Sequence, residues 1–515
     1  MILLIHNNNQ IYKVLDTNSN SVISFTSNSL TSLFFELAER FPHKKIIWCH
    51  KLLVTYINYV AIENISEASI KMISYESSTT NFINTSIGFV EQSLFVNINK
   101  SVKFPTWLMS SDVGLIQGKT LLLFKGLQKF KMSFQALLNY IAKIGIPKGL
   151  LCYSDPIFLK GNFPFVLKKQ ISEPEIFQFI KSNYKYRWVW LYQLNQLLYN
   201  KKIVFVSFFK SNFKPKVSIL VNIPNLNVKR IEEKASISID VLIPTLGREK
   251  YLKNVLLDLS KQTLKPTRVI IIEQQAVENS PSSLDFLDEN WPFEIDHTLI
   301  HQLGVCNARN LALNKVSSDW VFFADDDICL NTDFLERSFK YIKAYKSKAV
   351  TLSCLLKGEK ERINRIIQWS SFGSGCSIVN KKFLMSVKFD SALEFGYGED
   401  SDFGMQLRNN GVDILYLPFV KMIHLKAPIG GFRKKIKKDW ETEVIQPKPS
   451  PTVMLSKLKH ATKEQLQGYK TNLFIKFYRN QTIKNPNKYF KVMRIAWDNS
   501  EFWARKLMKK KINEV

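Results

Sequence analysis

The sequence predicts an α/β protein. A mixed, mainly parallel sheet over residues 237–426 carries its chemistry, after a separate α/β domain (1–210) and a linker (211–236), and a basic helical extension (427–515) follows. Three observations lead there. Short apolar runs without alternation, such as Trp320-Val321-Phe322-Phe323-Ala324, suit strands buried on both faces of a parallel sheet. Segments of helical spacing separate those runs, which is the rhythm of βαβ units. The run from Trp320 stops on Asp325-Asp326-Asp327, setting three carboxylates at a strand's carboxyl end, where open α/β sheets bind ligands. Adjacent acids repel unless a cation or well-placed donors neutralise them. A hard divalent ion bridging to phosphate oxygens is the simplest resolution, and an acidic turn with no ligand is the plainer alternative.

At 515 residues the chain exceeds one ordinary core and should form two or three domains. Hydrophobic content of 45% and charged content of 23% exclude the disordered class. Met1-Ile2-Leu3-Leu4-Ile5 reaches His6 and three Asn too soon for a signal peptide, and no stretch has the roughly 18 apolar residues of a membrane span. The expectation is a cytoplasmic chain, with the inner face of the cell membrane as its one possible surface. The six cysteines show no metal-type spacing and read as free buried thiols. Net charge is +28, and from Leu425 to Val515 there are 22 Lys and Arg against 7 Asp and Glu, a net +15. Such an end can serve nucleic acid, an anionic membrane surface or a phosphate-bearing substrate.

In the first domain β-rich runs (Ile2 to Ile5, Lys45 to Cys49, Ser93 to Val96, Thr120 to Phe124) alternate with helical patterns such as Ser29 to Phe41. It contains no acidic cluster, no Gly-rich loop after a strand and no Cys/His constellation, so it shows no chemistry. From Phe177 to Phe209 Lys and Arg interleave with Tyr and Trp, which suits either a membrane interface or a helix packed between domains. Lys214-Pro215, Pro224-Asn225 and the charged run Lys229 to Lys234 mark the linker.

The second domain opens with a strand from Ile237 to Thr245 and turns at Gly247 into a helix with Leu252, Val255, Leu256 and Leu259 at helical spacing. Arg268 to Glu273 is a second buried strand ending on an acid. A helix begun by Gly304 follows, and then the strand to Asp325. Further on, Gly398-Glu399-Asp400-Ser401-Asp402 places acids where a helix begins, with Gly411 positioned to end it. Acids there are also favoured by the helix dipole alone. His424 closes the last strand pattern and is either a metal ligand or simply packed. Pro428 to Lys435 reads as a flexible basic loop able to close over a diphosphate.

These residues resemble the catalytic domain of family 2 glycosyltransferases with the GT-A fold, over Ser238 to about Lys426. The matching features are Pro244-Thr245 with Arg248, the helix bearing Ala308-Arg309-Asn310, Asp325-x-Asp327, and Glu399-Asp400. The resemblance implies a nucleotide-sugar donor, with UDP the expected nucleotide. It places Thr245, Arg248, Glu273, Arg309, Asp325 and Asp326 around the donor, and Asp327, with Asp325 and His424, on Mn2+ or Mg2+. It makes Asp400 the general base and Glu399 the residue that orients the acceptor. Glu273-Gln274-Gln275 departs from the Asp-Asp or Asp-Asn usual at that strand end.

The implied activity is metal-dependent, inverting transfer of a single sugar, of hexosyl or N-acetylhexosaminyl type, to a glycan or lipid-linked acceptor in cell-surface polysaccharide synthesis. Peripheral contact with an anionic membrane is expected. A processive synthase would carry Gln-x-x-Arg-Trp and membrane spans. A sugar-nucleotide nucleotidyltransferase, the competing enzyme reading, would want a Gly-rich turn where Thr245-Leu246-Gly247-Arg248 has one glycine. A nucleic-acid partner is disfavoured, because no known module is present and acids at the sheet edge repel phosphates unless a metal is bound.

Overall fold

The computed structural model describes residues 1–65, 70–77, 85–93, 97–163, 167, 172–226, 228, 237–428 and 437–512. The chain forms two compact units, Met1–Leu226 with Ala461–Arg479, and Asn227–His460 with Asn480–Val515.

The strands of the first unit are β1 (Ile2–Asn7), β2 (Gln10–Asp16), β3 (Ser21–Val22), β4 (Lys45–His50), β5 (Lys71–Tyr75), β6 (Phe104–Pro105), β7 (Val113–Gln117) and β8 (Leu151–Ser154). They lie in the order β3-β2-β1-β4-β7-β5-β8-β6. Its helices are α1 (Leu30–Arg40), α2 (Tyr59–Glu63), α3 (Gly118–Leu122), α4 (Phe134–Gly145), α5 (Glu173–Asn183), α6 (Arg187–Asn200) and α7 (Phe205–Asn212), with a late helix, Lys463–Tyr478. Ser29 caps α1 by accepting from Ser32 N, and Leu33, Phe34 and Leu37 bury one face of that helix.

The structure corrects two expectations here. Thr120 to Phe124 is not a strand: β7 runs out of partner where Gln117 meets Lys45 at the start of β4, and the chain buries Leu121 and Phe124 through a helical turn instead. Residues 211–226 are not a free linker, because Val217 and Ile223 pack into the core of this unit. Of Ser93 to Val96 only Ser93 is described, and residues 229–234 lie outside the described residues.

The second unit contains β9 (Ile239–Thr245), β10 (Arg268–Gln274), β11 (Glu294–Ile300), β12 (Trp320–Ala324), β13 (Ile328–Leu330), β14 (Ala349–Leu356), β15 (Ile367–Gln368), β16 (Cys376–Asn380) and β17 (Ile414–His424). The order is β11-β10-β9-β12-β16-β14-β17-β13, with β15 beside β17. Strands β11, β10, β9 and β12 run parallel, β16 runs against them, and β14 and β17 are again parallel to each other. All of β9 is buried, and its one charged residue, Asp240, accepts from Ser317 N, Ser318 N and Ser318 Oγ. Helices α8 (Glu249–Ser260), α9 (Val305–Asn314), α10 (Phe334–Tyr345) and α11 (Glu399–Asn409) belong to this sheet.

After α12 (Pro451–His460), the helix Lys463–Tyr478 is α13, and α14 (Pro486–Ile512) follows. The basic end is therefore not one extension. Met493, Trp497 and Ala504, at spacings that share a helix face, bury on α14 within the second unit, while α13 belongs to the first and Gln465 Nε2 there donates to the carbonyls of Glu91 and Ser93 at 2.9 Å.

Candidate active site

Parallel strands β9 and β12 end side by side, and a cavity of about 440 Å3 opens at that edge. Thr245, Arg248, Arg309, Asp325, Asp326, Asp327, Glu399, Asp400 and His424, all anticipated from the sequence, line it. Glu273 does not. Successive strand residues face opposite ways, so Gln274 takes the cavity wall, and its Oε1 accepts from Gly304 N at 2.7 Å. Glu273 is 2% exposed and is occupied by Ser282 Oγ (2.6 Å), Gln275 Nε2 (2.8 Å) and His297 Nε2 (2.9 Å).

The three aspartates do different work. Asp326 is tied inward: Thr245 Oγ1 donates to it at 2.8 Å and Arg248 NH1 at 2.6 Å. Asp325 receives Arg309 NH2 at 3.2 Å, and Gly375 makes room for it, since a Cβ there would stand 2.0 Å from Asp325 Oδ2. Asp327 Oδ2 accepts from Ala427 N at 2.8 Å, whereas its buried Oδ1 has no hydrogen-bond partner among the described residues and faces His424 Nε2 at 3.2 Å. Burial pushes the Asp327 carboxyl up, but His424, the Ala427 N–H and Arg248 outweigh it and hold the group below its ordinary range. The Asp327 carboxylate in turn raises His424.

One ligand atom from each of Asp325, Asp327 and His424 lies within 4.8 Å of the others. An orphaned carboxylate oxygen, a second carboxylate and an imidazole fit Mn2+ or Mg2+ by both chemistry and spacing. Antiparallel pairing of β13 with β17 sets this spacing by bringing His424 opposite Ile328, just past the aspartates.

The other acids come from α11. Ser374 Oγ donates to Asp400 Oδ1 and Ser374 N supports the same oxygen at 3.3 Å. Burial pushes Asp400 up, with Arg309 and Ser374 pulling back. Burial, helped by the Asp400 charge, lifts Glu399 to about 7. Asp402 turns away from the cavity: it is fully buried and paired with His460 Nε2 at 2.7 Å and with the Lys459 ammonium.

Sequence reading missed Ser374, Gly375 and Glu394. The Glu394 carboxylate caps α9 by accepting from Cys306 N (3.1 Å) and Asn307 N (3.0 Å), and Gly304, at φ +146, leaves it space. No local pattern marks these residues; only the fold sets them beside the acids. Cys354 and Cys376 are half-buried on the cavity wall, as is Cys329 elsewhere, so three of the six thiols are not the buried ones expected. Residues 429–435 of the expected closing loop lie outside the described residues.

Fold and site together define an α/β domain whose acidic, cation-fitting sheet edge faces a cleft suited to a phosphate-bearing ligand. Residues 240–391, within the second unit, match Glycosyl transferase family 2. Glycosyltransferase GlyA of Streptococcus pneumoniae serotype 4 is 26% identical over 113 residues, 21% of this chain, and the chain spans 16% of the length of that curated relative. Among solved structures, S. aureus TarS 1-349 in complex with UDP-GlcNAc aligns at 14% identity with a TM-score of 0.36, over 54% of this chain and 92% of that one. GalNAc-T7 with UDP, GalNAc and Mn2+ aligns at 11% identity with a TM-score of 0.37, over 50% and 55%.

Proposed function

We propose that the second unit transfers a single sugar from a nucleoside-diphosphate sugar to a hydroxyl of a glycan or lipid-linked acceptor, with inversion. The observation that carries this is the joining, in one cavity, of the Asp325, Asp327 and His424 set with the Glu399–Asp400 pair.

Asp325, Asp327 and His424 would hold a divalent cation, which supplies positive charge to a departing diphosphate. The remaining work falls to the chain's own groups. Arg309, 6% exposed and fixed on Asp325, adds a permanent cation to the cavity wall. Asp400, with Oδ1 held by Ser374, presents its second oxygen to take the acceptor's proton. Glu399, raised toward neutrality, orients the acceptor hydroxyl. Attack on the face opposite the leaving diphosphate inverts the anomeric centre in one displacement.

The test is a screen of nucleotide sugars, UDP-linked ones first, for Mn2+-dependent release of nucleoside diphosphate. Release by the wild type that is absent in Asp327→Ala supports the reading. Equal release by both overturns it.

We further propose peripheral attachment to an anionic membrane. It is supported by apolar side chains exposed on α6 and α7 (Trp190 51%, Val206 68%, Phe209 58%) beside Lys201, Lys202 and Lys210. Phe177, Tyr192 and Phe208 of the same segment are buried in the unit's own core, so only part of the aromatic run is available. Among the described residues, no helix is long and apolar enough to cross a membrane.

A further inference from the structure

The first unit repeats the sheet of the second. Its order β3-β2-β1-β4-β7-β5-β8-β6 matches β11-β10-β9-β12-β16-β14-β17-β13 position by position. The directions agree from the first strand outward: β1 with β4 and β9 with β12 are parallel, β4 with β7 and β12 with β16 antiparallel. Beyond them, β7 with β5 and β16 with β14 are antiparallel, β5 with β8 and β14 with β17 parallel, and the edge strand is antiparallel in both. One helix joins the third strand to the fourth in each unit, α1 or α9, and another precedes the last central strand, α4 or α11. The first unit departs on one side, where β1, β2 and β3 pair antiparallel while β9, β10 and β11 are parallel with α8 between β9 and β10, and at the far edge, which β6 joins after β5 in the chain but β13 joins directly after β12.

Register carries the match to single residues. Cys49 pairs with Val113 as Ala324 pairs with Cys376, so His50 stands where the second unit has Asp325, and Ser111 where it has Ser374. Ser111 Oγ donates to Gln135 Oε1 at 3.2 Å, and Gln135 is the second residue of α4, as Asp400, held by Ser374, is the second of α11. The hydrogen bond persists while the acid has become an amide. Phe34 is the fifth residue of α1, as Arg309 is of α9. Among the described residues, the first unit has no group of acids, His and Cys that could hold a metal ion.

A cleft remains. A cavity of about 620 Å3 lies where α4 meets the end of β1, with Asn9 Oδ1 accepting from Phe134 N at 3.2 Å. Lys129, Lys131 and Lys214 line it, together with Phe130 and one acid, Glu175, whose carboxylate accepts from Ser133 N at 3.0 Å and from Ser172 Oγ. Gln135, beside that wall in sequence and 8% exposed, has an Nε2 with no partner among the described residues.

We propose that the first unit is a second copy of the glycosyltransferase-like sheet that has lost the donor chemistry and binds an anionic, phosphorylated saccharide in this cleft without a metal. Lysine ammonium groups recognise phosphate, and the aromatic ring offers a sugar an apolar face. A substrate glycan held there would be a ligand and not a reactant, since Gln135 stands at the position of Asp400 and an amide cannot accept a proton, while the one acid lining the cleft, Glu175, is occupied by Ser133 N and Ser172 Oγ.

The test is ligand-observed NMR on the full chain in EDTA with glucose 1-phosphate as the probe and glucose as the control; EDTA removes any cation from the second unit's site, and the lysine reversal, confined to the first unit's cleft, locates the binding whether or not the second unit's proposed function is right. Saturation transfer to glucose 1-phosphate is expected in wild type and in Asp327→Ala, absent for glucose, and weakened by roughly tenfold or more in Lys129→Glu/Lys131→Glu, the loss of two charged contacts. An unchanged melting curve confirms that these two exposed lysines are not needed for folding. No transfer in EDTA, indifference to the lysine reversal, or equal displacement by inorganic phosphate, meaning a free-anion site, overturns the proposal. So does a UDP and Mn2+ site that survives in Asp327→Ala.

Discussion

His424 Nε2 stands 3.2 Å from Asp327 Oδ1, although almost a hundred residues separate the two in sequence. The pair leaves a buried carboxylate oxygen and an imidazole aimed at the same point, and Asp325 supplies a third ligand atom.

Removing either partner should therefore weaken the cation and spare the fold. Asp327→Ala is expected to abolish turnover. His424→Ala should lower Mn2+ affinity by roughly 10- to 100-fold, the scale for groups that support a metal site. Titration calorimetry with Mn2+ reads both; unchanged affinity in His424→Ala would leave that residue a packing group.

Asp400→Asn keeps the shape and the Ser374 contact but cannot take a proton. Transfer should fall about 10²–10⁴-fold, the span of a general base, with donor affinity nearly constant. Loss of donor binding instead would make Asp400 part of the donor site.

Glu399 gives a pH signature in stability. Burial and the Asp400 charge raise it from 4.5 to about 7, so between those values the folded chain keeps a proton that the unfolded chain has released. Its contribution is greatest below the unfolded value and is lost as pH rises through about 7, at most about 3 kcal/mol in all. Glu399→Gln should thus gain on wild type in melting temperature between about pH 5 and about pH 8. A constant difference across that range would show that Glu399 titrates normally.

Membrane attachment is read by sedimentation with vesicles. The full chain should pellet with anionic vesicles and not with neutral ones, each Lys or Arg near the surface contributing on the order of 1 kcal/mol. Cutting the chain near Lys426 is a poor test, because α13 completes the first unit and α14 the second. Trp190→Ser with Phe209→Ser, both exposed, should instead halve recovery or more; equal pelleting would clear α6 and α7 of that role.

The sequence by itself determined the second sheet and its acidic edge. The mostly apolar run Ile239–Thr245 and the unbroken one Trp320–Ala324 leave a buried strand little alternative, and carboxylates directly after one must lie at its carboxyl end. Residues adjacent in sequence were legible because the chain itself keeps them together. What needed the tertiary structure was everything set by pairing between distant segments: β13 against β17 for His424, β16 beside β12 for Ser374 and Gly375, and strand alternation choosing Gln274 over Glu273 for the cavity wall. The repeat in the first unit was hidden for the same reason. Its sequence carries His50 and Gln135 where the acids would be, so no motif survives, and only register within each sheet shows which positions are equivalent.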